Sequence, residues 1–171
     1  MNTKMNEYEN LWWQFNLTDA RKKLEEILAQ DRDDPDANRR MAFIEYYYHR
    51  NIDTALELIQ KSIARQPDEA ENYRIQGDVY AACSRYVDAL ESYRKALEKD
   101  SINANLYYSM GMACFKKGDR VEAKAYWENS VRIDRYNLDA NRSLHLLYVG
   151  DSEYEKGMSL ETRCQRFPNG A

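Results

Sequence analysis

The groups in this chain that could move a proton, attack an electrophile or hold a metal are few. Histidine occurs only at His49 and His145, and cysteine only at Cys83, Cys114 and Cys164. A general base needs an orienting partner, and a zinc site needs ligands at short paired spacings. The two histidines lie far apart, with no cysteine or paired carboxylate at ligand spacing. His49 reads as a residue near a turn and His145 as a bulky helix residue. Three widely separated cysteines fit neither a disulfide framework nor a metal knuckle, and they point to a reducing compartment. Cys114 reads as a small buried hydrophobe, and Cys83 and Cys164 lack a base that would activate them. No phosphate-cradling glycine loop and no Gly-x-Ser-x-Gly elbow is present, and the plentiful carboxylates read as solvated faces and helix starts. The expectation is a protein that is not an enzyme, with no catalytic, cofactor or metal residues.

The remaining chemistry is recognition. The chain has 171 residues, a net charge of −4, 43% hydrophobic and 32% charged residues, and a mean hydropathy of −0.87. That balance excludes a basic nucleic-acid footprint, and no run reaches the ~18 apolar residues of a membrane span. An apolar signal core is absent from the first residues, so a cytoplasmic location is expected. Six glycines and three prolines are too few for the turns of an all-β domain.

Helices must therefore position whatever recognises a partner, and the chain repeats them. Asn16-Leu-Thr-Asp-Ala20, Asn51-Ile-Asp-Thr-Ala55, Arg85-Tyr-Val-Asp-Ala89 and Asp119-Arg-Val-Glu-Ala123 superimpose, with alanines 35, 34 and 34 residues apart. Each string has the polar start of a helix, followed by apolar residues on a helical stripe: Leu24, Ile27 and Leu28; Ile59 and Ile63; Tyr93, Ala96 and Leu97; Trp127 and Val131. Between them the periodicity predicts helices over 37–48, 70–82, 104–116 and 139–149. Asp68, Ser101 or Asn103, and Asn137 are candidate caps, and Pro35 and Pro67 lie between units, where a first-turn proline is tolerated.

The residues in these slots carry a family resemblance. Tyr73, Gly77, Tyr80, Ala89, Tyr93 and Ala96, followed by Tyr107, Met110-Gly111, Cys114, Gly118-Asp119, Ala123, Trp127 and Ser130, resemble the tetratricopeptide repeat, a 34-residue helix-turn-helix. Gly77, Gly111, Ala89, Ala123 and Ala96 are small where helices must approach, and Tyr80, Tyr93 and Trp127 are large where neighbours interlock. The resemblance implies an all-α fold, a right-handed superhelical α-solenoid of about five helical hairpins. It would form one domain over 1–171, with a divergent N-terminal cap at 1–35, repeats at 36–69, 70–103 and 104–137, and a divergent C-terminal cap at 138–171. Phe43 and Ile59 depart from the pattern in the second unit, and Gly157 and Glu161 in the last. A 35-residue pentatricopeptide array would need a basic groove, which an acidic chain does not supply.

By resemblance, the first helix of each unit lines a concave groove that receives a peptide or helix from a protein partner. Steps of four and three give its candidate lining: Arg40, Ile44 and Tyr47; Arg74, Asp78 and Ala81; Tyr108, Met112 and Phe115; Arg142, Leu146 and Val149. Arg40, Arg74 and Arg142 would form a ladder suited to the carboxylates of an acidic-hydrophobic segment. The alternative is that these arginines are ordinary solvated side chains, some paired with Asp78 or nearby glutamates. The lysine-asparagine clamp of the family's chaperone-tail receptors is absent. Trp12, Trp13 and Phe15 either form a further candidate contact or pack against Leu24 and Ile27, and self-association into a homo-oligomer through the end repeats is the competing function. Nucleic acid, membrane and cofactor are not expected as partners.

Overall fold

The computed structural model describes residues 5–9 and 16–150. Among these, residues 5–9 are helical and eight helices follow: α1 (Leu17–Gln30), α2 (Pro35–Tyr47), α3 (Ile52–Arg65), α4 (Ala70–Ala82), α5 (Tyr86–Lys99), α6 (Ala104–Lys117), α7 (Arg120–Ile133) and α8 (Leu138–Gly150). The described residues contain no strand, and the architecture is all-α, built from helix-turn-helix repeats. Backbone contacts group Met1–Val79 and Tyr80–Ala171 into two compact units, divided within α4.

The repeating strings mark real helix starts. Asn16, Asn51 and Asp119 accept the backbone amides of Asp19, Thr54 and Glu122, each satisfying one of the amides left open in a first turn. Arg85 occupies the same place before α5 without a side-chain cap. Asp34, with Pro35 at the first helical position, starts α2, and Asn103 starts α6.

Inside each hairpin the chain turns through a left-handed residue every 34 positions: Arg50 at φ 56°, Ser84 at φ 60° and Gly118 at φ 99°. A Cβ is unfavourable in this conformation, so Gly118 is relaxed where Arg50 and Ser84 are not.

A second periodic device lies between hairpins. Asn38, Asn72 and Asn141 are buried, and each donates its amide to a carbonyl six residues earlier, at Arg32 (3.1 Å), Gln66 (3.0 Å) and Arg135 (3.1 Å). Ser62 Oγ lies 2.8 Å from both the Pro35 carbonyl and Asn72 Oδ1, and Ser130 Oγ donates to the Ala104 carbonyl at 2.8 Å. These small hydroxyls let paired helices meet closely while keeping buried polar atoms partnered.

Among the described residues the core of the first unit includes two clusters. Tyr8, Ala20, Leu24, Ile27, Ala37, Met41 and Ile44 form one, and Ala42, Ala55, Ile59, Ile75 and Val79 the other. In the second unit α6 and α7 pair around Gly111 and Trp127. A Cβ at Gly111 would sit 2.4 Å from the indole, while Trp127 Nε1 donates to the Tyr108 carbonyl at 3.2 Å. The close approach therefore requires glycine.

Candidate interaction faces

In the first unit the candidate row is already wired. Arg74 Nε and Nη2 donate to both oxygens of Glu71 at 2.7 and 2.5 Å, while Nη1 reaches Asp78 Oδ2 at 2.6 Å. Tyr47 Oη donates to the same Asp78 oxygen at 2.9 Å. The buried Asp78 carboxylate thus joins α2 to α4. Burial alone would lower the Arg74 pKa, but the hydrogen bonds it donates to Glu71 and the charges of Asp78 and Glu71 outweigh it and raise it, so the guanidinium stays protonated. Burial, and then the Asp78 charge, pushes Tyr47 well above the ordinary phenol range.

Arg40 donates to Glu9 at 2.8 Å and lies over the Tyr8 ring at 4.9 Å. Arg39, beside it, holds Asp36 at 2.5 Å. Tyr8, Arg39 and Arg40, together with Phe43, Glu71 and Ile75, border a mixed polar and apolar cleft of about 280 Å³. Ile44 does not face that cleft's row. It is 1% exposed, in the core against Ala20, Leu24 and Ile27, because α2 is covered by α1 as well as α3 and one exposed stripe cannot describe a helix buried on two sides.

The second unit's rows are different in kind. α6 contains no carboxylate at all, and α8 contains only Asp139. Met112 and Phe115 from α6, Arg120 and Trp127 from α7, and Ser143, Leu146 and Leu147 from α8 border a second cleft of about 280 Å³, mainly apolar. Leu146 is 65% exposed and Phe115 41%. Phe115 packs on Trp127 at 5.6 Å, and Arg120 lies 5.9 Å from its ring centre. Arg142, one turn before Leu146, is exposed and makes no hydrogen bond or ion pair among the described residues, and Val149 is exposed on the same row. Tyr108 is half-buried, and burial, with the Asp139 charge, raises its pKa.

Other expectations fall as follows. Cys114 is fully buried, and burial, reinforced by Glu122, pushes its thiol up to about 12, whereas Cys83 is exposed. His49 is exposed beside a turn and His145 half-buried. No group of three metal-ligating side chains comes together among the described residues, and no described helix is long and apolar enough to cross a membrane. Trp12, Trp13, Phe15, Gly157, Glu161 and Cys164 lie outside the described residues. The buried asparagines and the left-handed Arg50 and Ser84 were not anticipated. Their only sequence signal was the 34-residue step from Asn38 to Asn72 and from Arg50 through Ser84 to Gly118.

A family model described as TPR repeat matches residues 77–118. Protein bimA of Emericella nidulans is 27% identical over 127 residues, covering 74% of this chain and 16% of that protein. Anaphase-promoting complex subunit 3 of Schizosaccharomyces pombe is 25% identical over 115 residues, covering 67% and 17%. The chain thus spans about a sixth of the length of these relatives. Among solved structures, that of Pseudomonas aeruginosa PilF superposes with a TM-score of 0.86 at 18% identity, covering 98% of this chain and 76% of that one. With the 34-residue step, the small residues at the helix crossings and these likenesses in agreement, residues 77–118 match the tetratricopeptide repeat and the chain has the helix-turn-helix fold of proteins built from it.

Proposed function

We propose that the chain is a non-catalytic scaffold or adaptor that holds a peptide or helix of a partner protein, acidic and hydrophobic in character, against the exposed faces of its first helices. The observation that carries this reading is the division of α6 and α8. Leu106, Met110, Ala113, Ala140 and Leu144 are buried, while Phe115, Arg142, Leu146 and Val149 stay accessible on the opposite rows. Aromatic and arginine side chains with room beside them are what recognition surfaces use to anchor a segment. One relative is by name a subunit of a multiprotein complex, which accords with a binding role. Arg40 and Arg74 enter this reading as residues that shape the wall, since their guanidinium groups already hold Glu9, Glu71 and Asp78.

Calorimetric titration of the full chain with a panel of acidic-hydrophobic, basic-hydrophobic and purely acidic peptides tests it. Saturable binding confined to the acidic-hydrophobic set is expected, and heats that never saturate with any peptide would contradict the reading.

A further inference from the structure

Resting on the peptide-binding reading above, we propose that recognition is carried by the second unit alone. A large apolar side chain of the partner segment enters the cleft between Phe115 and Leu146, and flanking carboxylates of that segment meet Arg120 and Arg142.

Charge argues for this occupant. The chain carries a net charge of −4, yet the three helices that border the cleft hold Lys116, Lys117, Arg120, Lys124, Arg132 and Arg142 against Glu122, Glu128 and Asp139, a local excess of positive charge. A cationic rim attracts acidic segments and disfavours a second copy docking cleft to cleft, where like charges would meet. Shape argues the same way. The cleft is apolar and floored by Trp127 and Leu147, which are held in the packed core, so a leucine or phenylalanine entering it displaces water from rigid walls without reordering them. Phe115 and Leu146 stand open at its mouth, where they gain contact area when a segment settles. Arg142 brings its charge with no ion pair to break among the described residues. By contrast, Arg74 would have to leave two carboxylates to take a third, an exchange with no gain in charge-assisted bonds.

The test uses the full chain and a fluorescein-labelled peptide in which leucine and phenylalanine alternate with glutamate and aspartate, read by anisotropy. Leu146 and Arg142 are exposed, so Leu146→Glu and Arg142→Glu should leave the helical circular-dichroism spectrum unchanged. Leu146→Glu is expected to weaken binding by about tenfold or more and Arg142→Glu by about fivefold, the latter difference shrinking as salt rises. Arg40→Ala should stay within about twofold of wild type. Binding lost in Arg40→Ala but kept in Leu146→Glu would overturn this assignment while leaving the peptide-binding reading intact. No binding by any variant or by wild type would overturn both. Equal affinity for a peptide with lysines replacing the acids would reject the charge match. Displacement of the probe by a synthetic peptide of residues 151–171, or a concentration-dependent dimer abolished by Leu146→Glu, would give the cleft a different occupant and end the proposal.

Discussion

The two compact units use the same hairpin but spend the first helix of each hairpin differently. In the first, α2 and α4 carry acids and bases in near balance, and these are already engaged: Arg74 with Glu71 and Asp78, Tyr47 with Asp78, and Arg40 with Glu9 of the helical residues 5–9. In the second, α6 has no acid and its row is aromatic and apolar, so the neighbouring helices leave a cleft with cations at its edge. A repeat fold fixes where side chains stand; whether a row is wired inward or left open depends on a handful of residues on it.

The largest expected effect lies beneath the open cleft. Trp127→Ala removes a nearly fully buried indole and should cost about 3–5 kcal/mol in urea unfolding of the chain. Gly111→Ala, which forces a methyl group onto that indole, should cost about 1–3 kcal/mol. A loss below 1 kcal/mol for both would mean that the floor of the cleft is not rigid.

The wired face should answer next. Asp78→Ala strips a shared acceptor from Arg74 and Tyr47 and should cost about 2 kcal/mol. Tyr47→Phe should cost about 1 kcal/mol, through the same oxygen. An additive Asp78→Ala, Tyr47→Phe double variant would show that the two residues are not coupled.

The turns offer a gain in each unit. Arg50→Gly in the first and Ser84→Gly in the second relieve a left-handed residue and should each add about 0.5–1 kcal/mol, matching the turn that Gly118 already makes without strain. Destabilisation in both would show that their side chains matter more than the backbone.

The smallest effect is a slope. Because the folded Cys114 thiol is pushed up to about 12, the unfolded chain ionises first; its contribution is intact below the ordinary thiol range near 9 and is lost as pH climbs from there toward 12. Cys114→Ala should flatten that alkaline decline by about 1 kcal/mol at about pH 10. At neutral pH an aromatic disulfide reagent should modify Cys83 without reaching Cys114.

Much of this architecture could be read from the sequence because the hairpin repeats its punctuation. Asn16, Asn51 and Asp119 cap helices at the start of the repeated strings, and Pro35 begins α2 as a first-turn proline should. Buried polar devices were less visible. An asparagine such as Asn72 looks like a surface residue until its amide is seen tying down a turn, and periodicity registers hydrophobicity rather than hydrogen-bond direction. The same limit misplaced Ile44 on an exposed row, since stepping by four and three finds one stripe and α2 buries two. The ion pairs that occupy Arg40 and Arg74 were open alternatives in the sequence, where a row of arginines looks alike whether or not each has a partner.

The most direct measurement is a two-dimensional NMR titration of the full, isotope-labelled chain with the acidic-hydrophobic peptide, following arginine Nε–H and methyl signals together. The account predicts progressive shifts at the methyl groups of Met112 and Leu146 and at Arg142 Nε–H, with Arg40 and Arg74 Nε–H unmoved. Shifts concentrated at Arg40 and Arg74, with the Leu146 methyl groups silent, would contradict it.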